Sequence, residues 1–397
     1  MRTAEQGRKV EPSGRLFGEI PHLNFYDLSQ PAGVRDLTIA LKKARGRRLV
    51  SPGAMFADRT EKKAKREGIY RDRYEIFSRD SIALGHQKDH WDDKEEELAQ
   101  KIAEDDDPKK FLVVEYPWEH YGRFNKIHRQ PELERVLQSR NFQIISEAAQ
   151  EANKTETTAV IGQGVGSPVT LKFTLAGARS LIIADGGIVT PHDGNRQWGP
   201  LIRSIGENHA IYTAKQALQL NPFLNIDCIP QNVSMRDVPG TYPLARIVNN
   251  AGFIFDEMDS LLDKADLRFL AREAGKPVGQ ITDLGKGVAI QFDDPRTGKY
   301  PCNGRLTPDV YEELQKANLK DFDIFMYFAV NIFMGVDNIT PEVERAFRES
   351  RENGFYHIPQ SGIAASKAGA AAFELYEAYH EAREIPAEKL IGYDWAA

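Results

Sequence analysis

The chain contains little cysteine, with only Cys228 and Cys302 among its 397 residues. Two cysteines so far apart do not make a disulfide framework, which indicates a reduced, cytoplasmic chain. They are also too few for a zinc site built from two Cys-x-x-Cys pairs, so no structural zinc is expected. Cys228 lies in an apolar run and is predicted to be buried. Cys302 is predicted to be a bystander, the alternative being a reactive thiol.

A large charge excess and a long apolar run are missing as well. The chain has 52 basic and 58 acidic residues and a net charge of −6, which gives no electrostatic reason to expect a nucleic-acid partner. Residues 1–14 lack the apolar core of a signal peptide. The most apolar stretch, residues 324–336, is too short to cross a bilayer, so no membrane partner is expected.

The first part of the chain is dense in charge. Residues 61–73 are rich in basic side chains and residues 92–107 in acidic ones, which is typical of solvated helix faces or loops. His86 and His90 are four residues apart but have no evident third ligand, so no metal is expected there. We predict that residues 1–125 form an N-terminal α+β extension that binds a partner or substrate. Its predicted elements include a helix over residues 34–44 and a strand over residues 111–118.

Residues 126–397 are predicted to form a second, nucleotide-binding domain. Strands are predicted over residues 158–162, 180–185, 225–230, 252–255, 278–282 and 287–292, and helices over residues 208–220 and 263–274. Strands that alternate with helices predict an α/β fold with a Rossmann-like, mostly parallel sheet and helices on both faces. Residues 307–382 are predicted to be a mainly helical C-terminal part.

A glycine loop joins the first of these strands to a helix and contains Gly162, Gly164 and Gly166. Glycines allow close approach of the backbone to a phosphate, and the helix N-terminus presents N–H donors. The full dinucleotide pattern is not met, because Ser167 stands at its final glycine position. Asp185 ends the next strand about 20 residues on, where a carboxylate accepts hydrogen bonds from a ribose. The pattern predicts a nucleotide without separating ATP from NAD, and a purely structural turn is the alternative.

The segments around this loop resemble the ThiF/MoeB family of adenylating enzymes. TAVIGQGVGS, SLIIADGGIV and GNRQ follow the family's order of glycine loop, acidic strand end and Asn-x-x-Arg-Gln segment, and FDEMD matches a later strand end. A bacterial branch with an upstream Tyr-Pro-Trp segment, here residues 116–118, is the most similar. The resemblance implies ATP-dependent adenylation of a carboxylate on a peptide, a ubiquitin-like carrier protein or a peptide precursor.

The same resemblance assigns roles to residues beyond the glycine loop and Asp185. It implies that Asn195, Arg196 and Gln197 contact the triphosphate and that Asp259 binds Mg²⁺. Arg196 suits that role because a guanidinium has a fixed charge and a two-pronged fork for phosphate. Magnesium prefers oxygen ligands and retains most of its waters, which suits a single carboxylate.

The resemblance also implies a homodimer. In the family an arginine upstream of the glycine loop reaches the partner subunit's active site, and Arg140 matches that position. The catalytic residues would then be Arg196, Asp259 and Arg140. Two apolar segments, residues 322–334 and 364–375, are expected to leave faces exposed for pairing. Asp283 is a further candidate that would line the substrate cleft.

Two positions depart from the family pattern. Gly187 replaces the second acid of Asp-x-Asp, and His209 stands where the family has a lysine that contacts the nucleotide. A histidine is shorter and mostly uncharged at neutral pH. Arg203 is the candidate replacement cation, because Lys215 faces away on the same helix.

These departures leave two alternatives to an active adenylating enzyme open. One is a ThiF-like binding or assembly protein without turnover, in which residues 261–274 and the N-terminal extension serve assembly. The other is an NAD-dependent oxidoreductase, which the glycine loop alone would allow and the segment from Asn195 to Gln197 disfavours.

Overall fold

The computed structural model describes residues 22–27, 29–44, 111–118, 124–138, 141, 144–197, 204–235, 240–353 and 360–391. Contacts divide the chain into two compact units at the junction of Leu137 and Gln138. The two charged runs, His86 and His90 lie outside the described residues, and so do Arg140 and Arg203.

Among its described residues, the first unit contains a three-stranded antiparallel sheet and two helices. Its elements are β1 (Asn24–Tyr26), α1 (Pro31–Ala44), β2 (Phe111–Glu115), β3 (Phe124–His128) and α2 (Gln130–Leu137). The predicted helix and strand are therefore present, with the helix beginning three residues earlier and the strand ending at Glu115. Glu115 is buried and accepts hydrogen bonds from the Tyr26 hydroxyl at 2.6 Å and from Asn24 Nδ2 at 2.9 Å. These bonds satisfy a carboxylate that burial would otherwise destabilise.

The second unit is built on a seven-stranded sheet in the order β12-β11-β10-β9-β4-β5-β6. The strands are β4 (Thr158–Ile161), β5 (Ser180–Ala184), β6 (Asn225–Ile229), the separate pair β7 (Val233–Ser234) and β8 (Tyr242–Pro243), β9 (Phe253–Asp256), β10 (Val278–Leu284), β11 (Gly287–Asp293) and β12 (Glu388–Ile391). The neighbouring strands β6, β5, β4, β9 and β10 pair in parallel, which confirms the predicted Rossmann-like sheet. The antiparallel pairing of β10, β11 and β12 was not predicted.

Helices cover both faces of this sheet. They are α3 (Glu147–Thr155), α4 (Gly166–Leu175), α5 (His209–Leu220), α6 (Leu244–Asn250), α7 (Leu261–Glu273), α8 (Pro308–Lys316), α9 (Phe322–Phe328), α10 (Pro341–Glu352) and α11 (Gly362–His380). On β9, Ile254 packs with residues of α6 and α7 on one face. Phe255 packs on the other face against Phe173 of α4, which in turn contacts Tyr376 of α11 at ring distances of 5.3 and 5.0 Å. This alternation is what a sheet buried on both faces requires.

The predicted helical C-terminal part is confirmed, but its apolar segments are mostly covered. Residues 322–334 form α9 and a π-helix, Ala329–Met334, whose Ile332, Phe333 and Met334 are buried. Apolar residues of α11 are buried because that helix packs on α4, β10 and β11. The expectation that these segments leave apolar faces exposed is therefore wrong for α11 and for the π-helix, whereas Tyr327 of α9 is 61% exposed. No described helix is long and apolar enough to cross a membrane.

Candidate functional site

The predicted site residues that the structure describes lie at the carboxyl ends of the parallel strands; Arg140 is not among them. From β4 the chain proceeds to β5 and β6 on one side, whereas β9 and β10 lie on the other side. Such a reversal of strand order opens a crevice in which α/β proteins bind ligands. The glycine loop follows β4, Asp185 follows β5, Asp259 follows β9 and Asp283 lies near the end of β10. The strand order therefore brings these residues close together at this edge of the sheet.

The three glycines of the loop have different roles. Gly162 has φ of +90°, and a Cβ there would lie 2.3 Å from the carbonyl oxygen of Glu257. A Cβ on Gly166 would lie 2.9 Å from Val160 Cγ1, so packing requires both glycines. Among the described residues, and apart from its chain neighbours, the atom nearest to a Cβ added at Gly164 is Arg196 Nε at 3.9 Å, which leaves open space there. The adjoining N-terminus of α4 has no side-chain cap, so its N–H groups are suited to an anion.

Asp185 stabilises the glycine loop through a hydrogen bond. Its Oδ2 accepts a hydrogen bond from the Gln163 backbone N–H at 2.6 Å, and its Oδ1 accepts one from Gly187 N–H at 2.7 Å. Burial alone would raise the pKa of this carboxyl, but hydrogen bonds from His209, Gln163 and Gly187 lower it below the usual value. An ionised carboxylate has about four lone-pair positions, so Asp185 retains capacity to accept a ribose hydroxyl.

His209 lies between two carboxylates. Its Nδ1 is 3.5 Å from Asp185 Oδ2, and its Nε2 is 3.2 Å from Asp193 Oδ2. Burial favours the neutral ring, but the two carboxylates outweigh it and raise the pKa of His209. Compared with an ordinary histidine, His209 is therefore shifted towards its protonated form. A Cβ on Gly187 would lie 3.2 Å from His209 Nδ1, so the two departures from the family pattern are sterically connected.

Contacts of its guanidinium group fix the side chain of Arg196 in place. Its Nη2 forms an ion pair with Asp193 Oδ1 at 3.0 Å, and its Nη1 donates to the His192 carbonyl at 3.0 Å. Its Nε is buried and has no hydrogen-bond partner in the part of the chain that the structure describes. Asp193 is itself fixed by the backbone N–H and the hydroxyl of Thr190, in a capping box of the 3-10 helix Pro191–Asn195.

Sequence reasoning missed Asp193. A detectable signal was present, because Thr190 and Asp193 have the spacing of a capping box and Pro191 stands at the first helical position. Because Asp193 contacts both His209 and Arg196, it links two residues that were predicted separately.

The neighbours of Arg196 support the surrounding backbone. Gln197 is buried and its Nε2 donates to the carbonyl oxygen of Gln163 in the glycine loop at 3.0 Å. Asn195 Nδ2 donates to the Gln360 carbonyl at 2.9 Å, next to the start of α11. Their predicted contacts with a triphosphate are additional to these bonds and stay predictions.

A buried charge network connects α7 with the ends of β9 and β11. Arg268 of α7 is fully buried and pairs with Asp256 at 2.8 Å and with Asp293 at 2.7 Å. Lys264 also pairs with Asp256, at 3.2 Å, and the Cys302 N–H donates to Asp293 at 2.6 Å. Asp256 is therefore structural rather than a free metal ligand. Sequence analysis gave Arg268 no role, because a charged residue on a helix carries no local sign of burial.

Both cysteines are buried. Cys228 lies in β6 as predicted, and burial raises the pKa of its thiol to about 12. Cys302 is also fully buried, and burial together with the nearby Asp293 carboxylate raises its pKa. A thiol with a raised pKa and no access to solvent is a poor nucleophile, which agrees with the bystander prediction.

Asp259 is the exposed acid of the segment that follows β9. Partial desolvation by neighbouring protein atoms raises the pKa of its carboxyl; Lys264 opposes this effect, and the Asp185 carboxylate adds to it. The described residues contain no group of three or more His, Cys, Asp or Glu side chains that could hold a metal ion. Magnesium bound mainly by phosphate oxygens and waters needs only one or two carboxylates, so Asp259 fits that donor set.

Asp283 is the buried acid of β10. It is 2% exposed, and its Oδ1 accepts a hydrogen bond from Gln360 Nε2 at 3.1 Å. Burial raises the pKa of Asp283 to about 6; Gln360 and Arg196 act in the opposite direction, and Asp259 adds to the increase. The carboxyl is thus within electrostatic range of both Arg196 and Asp259, which agrees with a position at the cleft.

Fold and site together define an α/β unit of Rossmann-like topology with a crevice at the carboxyl ends of its parallel strands. The family model described as "ThiF family" matches residues 137–394, which is more than half of the chain. The chain therefore belongs to the ThiF family.

Several known proteins are similar to this chain. "Protein HesA, heterocyst" from Trichormus variabilis is 31% identical over 180 residues, which are 45% of this chain and 64% of that protein. The chain thus spans less than two thirds of this relative's length. PaaA has 15% identity and a TM-score of 0.45 over 67% of this chain and 82% of its own. E. coli MccB with ATP has 13% identity and a TM-score of 0.44 over 63% and 65%. The E. coli tRNA N6-threonylcarbamoyladenosine dehydratase TcdA has 16% identity and a TM-score of 0.41 over 62% and 95%.

Proposed function

We propose that this chain binds ATP in the crevice and adenylates a carboxylate of a peptide, a ubiquitin-like carrier protein or a peptide precursor. The observation that carries the proposal is the open space at Gly164. Two kinds of anion donor border it, the uncapped N-terminus of α4 and the unpartnered Nε of Arg196. An anionic ligand such as a phosphate would give both a partner.

The proposed reaction uses these positions as follows. A carboxylate oxygen attacks the α-phosphorus of ATP, the bond to the bridging oxygen breaks, and pyrophosphate leaves while an acyl-adenylate forms. The α4 N-terminus and Arg196 would stabilise the negative charge of the phosphates. Asp185 would accept hydrogen bonds from the ribose, and Asn195 and Gln197 would adjoin the triphosphate. Magnesium, held at Asp259, would supply further neutralisation of that charge.

Membership in the family also supports pairing of two chains. We propose a homodimer in which Arg140 of one subunit reaches the site of the other. Residues 1–125 would then bind the carboxylate-bearing partner or substrate. Both statements rest on the family pattern and concern residues that lie largely outside the described part of the chain.

The test is calorimetric titration of the protein with ATP and magnesium and, separately, with NAD. We expect ATP to bind and NAD to give no heat. Exchange of labelled pyrophosphate into ATP, measured with a panel of peptides and carrier-protein C-termini, then detects adenylation. Tight NAD binding with no response to ATP would reject the adenylating function.

One observation favours a second candidate, a binding or assembly protein without turnover. His209 replaces the lysine of the family, and its two ring nitrogens both face carboxylates, so it offers the nucleotide no free cation. The two candidates differ in one result. A non-catalytic protein would bind ATP without exchanging pyrophosphate for any carboxylate tested.

A further inference from the structure

The nucleotide proposed above has a direction across the sheet. Its phosphates would lie at the glycine loop after β4, and its ribose at Asp185 after β5. The next strand on that side of the sheet is β6. Because base and phosphates are attached at opposite ends of a ribose, the base extends from Asp185 towards the carboxyl end of β6. Neighbouring strands lie about 4.8 Å apart, so this end is within reach of a purine.

Asn232 lies where this direction leads. It follows β6, whose last residue, Ile229, accepts a hydrogen bond from the Asp185 N–H at 3.1 Å. A Cβ at Gly186 would lie 2.3 Å from Asn232 Oδ1, so only glycine allows the amide so close to the residue that follows Asp185. The side-chain amide of Asn232 therefore adjoins the proposed ribose site.

The backbone on both sides of this contact is fixed, whereas the Asn232 amide is not engaged. Asn208 Nδ2 donates to the carbonyls of Asp185 and Gly187 at 2.8 and 3.0 Å. The Asn232 carbonyl accepts a hydrogen bond from the Tyr242 N–H of β8 at 2.8 Å. Its side chain is exposed and makes no hydrogen bond within the described part of the chain. An unpaired amide on a fixed backbone suits a ligand, because little order is lost on binding.

The same two segments offer apolar surface. Ile188, on the segment after β5, is 57% exposed, and Met235, on the segment after β6, is 45% exposed. A purine has two apolar faces and a polar edge. Small-molecule sites combine apolar side chains with a few polar groups that fix orientation, so these residue types are the ones that a base requires.

We propose that the Asn232 amide recognises the adenine base, its Oδ1 accepting a hydrogen bond from the N6 amino group and its Nδ2 donating one to an adjacent ring nitrogen. The proposal rests on the ATP binding proposed above and names the residue that reads the base. An asparagine amide presents an acceptor beside a donor, which is the pattern complementary to that edge of adenine. A purine without the amino group loses the first of these bonds.

The experiment compares ATP with purine riboside triphosphate, which differs from ATP only in lacking the N6 amino group. In calorimetric titration with magnesium, wild type should bind ATP about threefold to tenfold more tightly, the range of one neutral hydrogen bond. Asn232→Ala removes the acceptor and should reduce this preference to less than about twofold. Because Asn232 is exposed, the variant should fold with a nearly unchanged melting temperature.

Asn225→Ala is the matched control, because it makes the same change at the exposed residue that begins β6, at the opposite end of that strand. It should keep the wild-type preference for ATP. Equal affinity of wild type for both triphosphates, or an undiminished preference in Asn232→Ala, would overturn the role of Asn232 while leaving ATP binding in place. If wild type binds neither triphosphate, the proposed function itself fails and the inference fails with it.

Discussion

The two sides of the crevice differ in how their charged groups are satisfied. On the β5 side, Asp185, His209, Asp193 and Arg196 form one series of contacts at 3.5, 3.2 and 3.0 Å. On the β10 side, Asp283 keeps an oxygen without a hydrogen-bond partner in the described part of the chain. The first side is organised before a ligand arrives, whereas the second side still offers an acceptor.

This difference suggests that the β5 side binds the nucleotide and that the β10 side selects the substrate. Pre-organised groups stabilise charge without rearranging, which suits the constant part of the reaction, the phosphates of ATP. An unsatisfied buried acceptor favours binding of a ligand that supplies the matching donor, which suits the selection of one substrate among many. In the buried network around Arg268, the guanidinium forms ion pairs with Asp256 and Asp293 inside the fold, so we assign the network a structural role.

The largest effect is expected from breaking the structural network. Arg268→Leu would leave the Asp256 and Asp293 carboxylates buried without their arginine, and should lower the free energy of unfolding by about 3–5 kcal/mol. Urea denaturation monitored by circular dichroism measures the loss. Arg246→Leu on the exposed side of α6 is the control and should change stability by less than about 0.5 kcal/mol. A loss below about 1 kcal/mol in Arg268→Leu would mean that the network does not support the fold.

A smaller effect, on ATP affinity, is expected from a substitution on the β5 side of the crevice. Asp185→Ala removes the acceptor proposed for the ribose and two bonds that hold the glycine loop. ATP affinity should fall about tenfold to a hundredfold, the range of a charged hydrogen bond of about 1.5–3 kcal/mol. Calorimetric titration provides the dissociation constant, with Asp227→Ala on the exposed side of β6 as the control. An unchanged constant in a folded Asp185→Ala protein would place the ribose elsewhere.

The smallest expected effect is a pH dependence of stability that arises from His209 on the β5 side of the crevice. The raised pKa of His209 means that its contribution to stability is fully present below the unfolded value of about 6.5. That contribution is lost as the pH rises through the folded pKa. The stability difference between wild type and His209→Gln should therefore be larger at pH 5 than at pH 8.5. Asp185 and Asp193 have lowered pKa values and stay ionised across this range. A difference that is constant with pH would remove the charged form of His209 from the account.

Local patterns were sufficient to predict much of this molecule. The glycine loop, Asp185 and the alternating strands and helices each depend on residues close together in the chain, which is why sequence reasoning found the parallel sheet. The family resemblance added Arg196 and Asp259, which the structure places at the same sheet edge.

What sequence reasoning missed depends on pairing between distant segments. Nothing near Arg268 indicates that it reaches Asp256 and Asp293, and nothing near His209 indicates that two carboxylates raise its pKa. The antiparallel addition of β12 to β11 joins residues far apart in the chain, which no local signal reports. The apolar C-terminal segments were misjudged for the same reason, because their covering partners come from other elements.

The central claim is that a nucleotide occupies the space at Gly164, and filling that space tests it most directly. Gly164→Leu adds a side chain where, among the described residues outside its chain neighbours, only Arg196 Nε lies within 4 Å of the new Cβ, so the fold should tolerate it with a nearly unchanged melting temperature. The account predicts that this variant loses ATP binding by about a hundredfold or more, measured by calorimetric titration with magnesium present. Wild-type ATP affinity in a folded Gly164→Leu protein would contradict it.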